Sequence, residues 1–241
     1  MDFASFLTDF DENRARRTAE KLRRHNIGGW VLTGGMAVEL HMQRLGLGAE
    51  NRPLNDIDFL VDWFGEIPQT LSAGLLFRHV HPHDPPAKTI MQCVDPETAV
   101  RVDVFRAYGG TTARAVPIAL YGSVLKIVAI EDLTARSARL CMDLAFGEAM
   151  PAKHTRDFLR LLPLVEVNAM EPVWREHRKT QHPESFAETA ALLRELIVSR
   201  KELQIVPVYG RDVHAHCARC EDSKSFPLAD AGRVLSLLGY C

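Results

Sequence analysis

The sequence predicts an α/β fold, a mixed sheet with helices packed against it, followed by a helical domain. Three observations point there. Short apolar runs bounded by glycine, proline and polar turn residues fill the first half of the chain, and segments of helical length fill the second. Within the first half, Asp56-Ile57-Asp58-Phe59 alternates acid with apolar side chain, as a half-buried strand does. At 241 residues and 46% apolar content the chain can bury one large core or two modest ones. The expected boundaries are 1–128 for the sheet domain, 129–205 for the helical domain and 206–241 for a small C-terminal cap.

Taken in order, residues 11–26 are charged with Leu22 nearly the only large apolar group, which predicts an exposed helix ending before Gly28-Gly29. Trp30-Val31-Leu32-Thr33 is a short strand closed by Gly34-Gly35. A helix follows, marked by Met36, Val38, Leu40, Met42 and Leu45, with Glu39, His41, Gln43 and Arg44 blurring its period. Gly46-Leu47-Gly48 and Asn51-Arg52-Pro53 form a loop before the Asp56 strand, whose alternation puts Asp56 and Asp58 on one face and Ile57 and Phe59 on the other. Residues 88–94 and 100–105 flank the turn-forming Asp95-Pro96-Glu97-Thr98 as a hairpin whose second arm brings Asp103 beside that strand. One or two further strands are expected over 116–130, broken at Gly122-Ser123. Helices are expected over 131–146, 151–165 and 184–203, and a short one over 228–238.

The balance of charge points to no partner by bulk electrostatics and leaves room for a local basic patch. With 29 basic and 31 acidic residues the formal net charge is −2, so no bulk field announces a nucleic acid or a membrane surface. Arg14-Ala15-Arg16-Arg17 and Arg23-Arg24 form a local basic face, most simply a solvated one, with RNA or a triphosphate as the alternative partner. No apolar run approaches the roughly 20 residues of a bilayer span, and the first 17 residues lack an apolar signal core, so a cytoplasmic location is expected.

The chemistry lies in two constellations. The first joins Gly34-Gly35 to Asp56, Asp58 and Asp103. Exposed backbone N–H groups opening a helix suit phosphate, and hard carboxylate oxygens on rigid strands suit the magnesium that a triphosphate brings. The second is Cys217 and Cys220 in a Cys-x-x-Cys knuckle, with Cys241 as a third thiolate and either His214 or His216 as a fourth ligand. That set fits a structural zinc; free thiols beside surface histidines are the alternative.

Leu32-Thr33-Gly34-Gly35-Met36-Ala37-Val38-Glu39-Leu40 and Arg52-Pro53-Leu54-Asn55-Asp56-Ile57-Asp58 resemble the nucleotidyltransferase superfamily, nearest to lincosamide and aminoglycoside nucleotidyltransferases and to the toxins of abortive-infection systems. The likeness runs over about 28–165 and includes Ile130-Glu131-Asp132-Leu133 and Lys153-His154-Thr155-Arg156-Asp157-Phe158-Leu159. It implies a polymerase-beta-like sheet and a magnesium-dependent enzyme that moves a nucleoside monophosphate from a nucleoside triphosphate to a hydroxyl of a small molecule or RNA. By motif, Asp56, Asp58 and Asp103 would be the catalytic metal ligands, and Thr33, Gly34, Gly35 and Arg52 would hold the nucleotide. Two further readings stay open: a toxin that modifies tRNA and is restrained by an antitoxin protein, and a catalytically inactive nucleotide-binding or interaction module.

Overall fold

A computed structural model describes residues 6–54, 56–78, 90–142 and 152–199. The zinc constellation of His214, His216, Cys217, Cys220 and Cys241 lies outside these residues, as do Asn55 and the helix expected over 228–238. The described chain divides into two compact units. One comprises 6–107 and 115–127; the other comprises 108–114 and the residues from 128 onward.

The first unit is built on a seven-stranded mixed sheet. Helix α1 (Asp9–Leu22) is capped by the Thr8 side chain, which accepts the Asp11 N–H, and its first turn carries Asp9, Asp11 and Glu12 where acids favour the helix dipole. Strand β1 (Val31–Thr33) leads directly into helix α2 (Gly34–Arg44). Then come β2 (Asp56–Val61), β3 (Leu76–Arg78), β4 (Ile90–Asp95), β5 (Val100–Arg106), β6 (Val116–Leu120) and β7 (Ser123–Ile127). Across the sheet the order is β3-β4-β5-β2-β1-β7-β6, with β2 parallel to β5, β1 parallel to β7 and the other neighbours antiparallel.

Two tight turns fix the register of the hairpins. β6 and β7 are joined by Tyr121 and Gly122, at φ 50° and 73°, the positive values that let a two-residue loop follow strand twist. Between β4 and β5 the chain closes with Ala99 N–H donating to the Asp95 carbonyl at 2.8 Å. Val31, Val61, Val102, Val104 and Met91 are buried in this unit, and Trp30 packs on Phe59 with ring centroids 5.3 Å apart.

Helix α1 is less exposed than its composition predicts. Ala15, Thr18 and Leu22 are buried, and its basic side chains reach into the β4–β5 hairpin. Lys21 Nζ lies 2.6 Å from Asp95 Oδ1 and 2.8 Å from Glu97 Oε1, and Arg14 donates to the Thr98 and Ala99 carbonyls. Arg16 pairs with Glu20 and Arg17 with Glu97, while Arg23 donates to the Tyr121 carbonyl and Ser123 Oγ. These arginines serve as clamps within the chain, so the local basic face is largely spent on internal partners.

The second unit is helical: α3 (Ile130–Cys141), α4 (Ala152–Leu161), α5 (Glu171–His177) and α6 (Phe186–Ser199), with 3-10 turns at Leu162–Leu164 and Val167–Met170. Trp174, Phe158, Phe186, Leu193 and Cys141 are fully buried in its core. Trp174 meets Phe186 edge-on at 5.8 Å and donates its indole N–H to the Pro183 carbonyl at 3.0 Å. No helix among the described residues is long and apolar enough to cross a membrane.

Candidate metal and nucleotide site

Strand register assembles the acidic cluster. Parallel pairing sets Asp58 of β2 opposite Asp103 of β5 and Asp56 opposite Arg101; antiparallel pairing sets Thr33 of β1 opposite Asp58 and Gln92 of β4 opposite Asp103. A line of polar residues thus crosses four strands as Gln92, Asp103, Asp58 and Thr33. Ile57 and Phe59 are buried on the other face of β2, as period-2 alternation requires.

The cluster is graded in exposure. Asp56 and Asp58 are half-buried, whereas Asp103 is 3% exposed and receives the Gln92 side-chain amide at 3.3 Å. Arg101 pairs with Asp56, and its Nε lies 3.1 Å from Asp103 Oδ1. Burial works against the Arg101 charge, but Asp103, Asp56 and Asp58 outweigh it and hold the guanidinium above its ordinary value.

The glycine turn lies against this cluster. Gly34 sits at φ +70°, and a Cβ there would fall 1.9 Å from Asp58 Oδ2 and 2.7 Å from Asp58 Cγ. Both the backbone conformation and the close approach therefore demand glycine. A Cβ on Gly35 would lie 3.1 Å from Arg52 Nη1, so the Arg52 guanidinium sits over the same turn. Its Nε donates to Glu39 Oε1 at 2.5 Å, and Glu39, fully buried on α2, also accepts the Glu50 N–H at 2.8 Å. Thr33, the last residue of β1, is 1% exposed and leads into the turn in extended conformation.

These residues fit a small hard cation. One ligand oxygen from each of Asp56, Asp58 and Asp103 lies within 4.8 Å of the others. Ligand oxygens around an octahedral magnesium stand about 3 to 4.2 Å apart, given bonds of about 2.1 Å, so small side-chain rotations complete such a site. All donors are carboxylate oxygens, the chemistry magnesium prefers over softer metals.

The structure therefore brings together Thr33, Gly34, Gly35, Arg52, Asp56, Asp58 and Asp103. Three neighbours escape sequence reasoning. Arg101 carried a usable signal, since it is two residues from Asp103 on a strand and must share its face. Glu39 and Gln92 gave none, because their roles depend on pairings made far along the chain.

No protein-family model matches the chain, and no curated protein matches it. Among solved structures it is similar to an antigenic nucleotidyltransferase-like protein from Paracoccidioides brasiliensis at 16% identity, over 81% of this chain and 91% of that one, with a TM-score of 0.46. It is also similar to a candidate nucleotidyltransferase from H. pylori at 14% identity, over 96% of this chain and 95% of that one, with a TM-score of 0.41.

Proposed function

We propose that this protein is a magnesium-dependent nucleotidyltransferase that moves a nucleoside monophosphate from a nucleoside triphosphate to a hydroxyl group of a small molecule or RNA. The observation that carries the reading is the contact between the two halves of the site: the Gly34 backbone packs against the carboxylate of Asp58, which stands in line with Asp103. A turn that accepts phosphate and carboxylates that accept its counter-ion gain from being adjacent.

Asp56, Asp58 and Asp103 would hold magnesium, which when bound neutralises the triphosphate and favours departure of pyrophosphate. Gly34 and Gly35 offer backbone N–H groups at the start of α2, where the helix dipole favours phosphate oxygens. Arg52, aimed over that turn by Glu39, adds a planar donor fork for the same oxygens. In the transfer, the acceptor hydroxyl oxygen bonds to the α-phosphorus, the bond from that phosphorus to the bridging oxygen of the β-phosphate breaks, and pyrophosphate departs. The hydroxyl proton passes to Asp103, the most buried of the three carboxylates and the one oriented by Gln92.

The test is transfer of label from α-labelled triphosphates to small-molecule and RNA acceptors with magnesium, comparing the native chain with Asp58→Ala. A loss of about a hundredfold to a thousandfold is expected, the scale at which removing a preorganised electrostatic group acts. Equal transfer by both proteins would sink the assignment.

A further inference from the structure

Register sets a two-by-two block of side chains on one face of the sheet: Asp56 and Asp58 from β2, Arg101 and Asp103 from β5. Three corners are acids, and the fourth is a cation that proteins do not deprotonate. Arg101 bridges two of those acids, pairing with Asp56 and approaching Asp103 at 3.1 Å. Its side chain is 36% exposed, so the guanidinium has a route out to solvent, while Asp103 beneath it is 5% exposed. The carboxylates it bridges are the ones whose oxygens converge within 4.8 Å as a cation site. A guanidinium and a divalent ion drawn to the same oxygens repel one another across a few ångströms, so full contact for one excludes full contact for the other.

We propose that Arg101 is an exchangeable internal counter-ion, which neutralises the carboxylate cluster in the absence of a divalent cation and gives up Asp56 and Asp103 when the cation binds. The inference rests on reading the three aspartates as ligands of that cation. Arg101 then has two effects of opposite sign: it stabilises the metal-free chain against repulsion among three carboxylates, and it weakens the first binding of metal. Once displaced, its planar fork of donors is available to the phosphates of the incoming nucleotide.

The experiment is calorimetric titration of the full chain with Mn2+, alongside thermal melting with and without the ion, for the native protein, Arg101→Gln, Arg101→Lys and Asp58→Ala. Arg101→Gln is expected to bind Mn2+ about tenfold more tightly, since one unit of competing charge is gone. Its metal-free melting temperature is expected to fall by about 2 to 8 °C, with saturating Mn2+ closing the gap. Arg101→Lys keeps the charge but not the fork, so its affinity should lie between the two; should Arg101→Gln not fold without metal, this variant alone decides. Binding by the glutamine variant, or by the lysine variant where only it folds, that equals or falls below the native affinity overturns the inference while leaving the triad as a cation site. Binding undiminished in Asp58→Ala, or absent from every folded variant, overturns the triad reading and the inference with it.

Discussion

At the scale of single residues, Gly34 is the position where the sequence has least freedom. Its φ of +70° disfavours any side chain with a Cβ, and the added atom would overlap the carboxylate of Asp58. Gly34→Ala is expected to destabilise the protein by about 1 to 3 kcal/mol, from left-handed strain together with the enforced shift of Asp58. The loss in metal affinity should exceed what the change in stability alone produces, because the atom that must move is an oxygen of the carboxylate proposed as a ligand. Chemical denaturation and metal titration on the same preparation check this; a destabilised variant with native metal affinity would separate the turn from the cluster. Glu39 shows the complementary case of a buried charge retained by its partners. It is fully buried, yet it accepts from Arg52 and from the Glu50 N–H, so it works as an anchor for the loop that carries Arg52.

At the scale of elements, α1 and the β4–β5 hairpin are held by a compact polar knot. Asp95, whose side chain is fully buried, receives Lys21 at 2.6 Å, Thr18 Oγ1 at 3.1 Å and the Glu97 N–H at 3.0 Å. Burial pushes the Asp95 carboxyl up, but these hydrogen bonds together with Thr98 outweigh it and hold the group below its ordinary value. Burial likewise lowers Lys21, and Asp95 and Glu97 outweigh it, holding the ammonium above its ordinary value. Because the folded Asp95 value is depressed, its contribution is fully present above the unfolded value of about 4 and is lost as pH falls through the folded one. Lys21→Met is expected to cost about 3 to 5 kcal/mol at neutral pH, since it leaves a buried carboxylate without its cation. The cost should shrink when unfolding is measured below about pH 4, where protonation removes the stranded charge; an undiminished cost at low pH would place the loss in packing instead.

The same elements show what could be read from sequence. The strands were legible because alternation is local: Asp56 to Val61 and Val100 to Arg106 each present apolar residues to one face, and Asp95-Pro96-Glu97-Thr98 announces the turn between the hairpin arms. Helix α2 was legible only in outline. Glu39 and His41 are buried within it, so polar letters occupy positions that the helical period reserves for apolar ones. β3 and α5, at three and seven residues, are too short for periodicity to register. The triad was legible as a pattern, but the order of strands that sets Arg101 beside Asp56 was not, because a parallel pairing of β2 with β5 arises from tertiary packing rather than from any local signal.

At the scale of the whole molecule, the chain does not pass from one unit to the other in a single step. Residues 108–114 belong with the helices, although the hairpin of β6 and β7 that follows them belongs with the sheet. The reason is Asp132 at the start of α3. Its carboxylate, 0% exposed, takes Arg114 Nε and Nη2 at 2.8 Å each, Thr111 Oγ1 at 2.9 Å and His177 Nε2 at 2.8 Å. The same guanidinium grips Glu176 of α5 at 2.6 and 3.2 Å, and Glu176 in turn accepts the Gly110 N–H. One arginine supplied from residues 108–114 therefore ties α3 to α5. Burial pushes Asp132 up, but Arg114, His177 and Thr111 together hold it far below the usual carboxylate range. Arg114→Met is expected to cost about 3 to 5 kcal/mol, the scale for stranding a buried charge. Asp132 then loses the partner that most depresses it, so the acid destabilisation it contributes should be smaller than in the native chain and end at a higher pH, and the cost of the substitution should shrink in acid. Trp174 in the helical core and Trp30 against Phe59 allow the two units to be followed separately, with Trp63 replaced by phenylalanine to remove its exposed signal. In single-tryptophan versions of the full chain, the Trp174 transition should fall to lower temperature in Arg114→Met while the Trp30 transition holds. An equal fall in both would mean that the units unfold as one cooperative body and that the clamp on Asp132 supports the sheet as much as the helices.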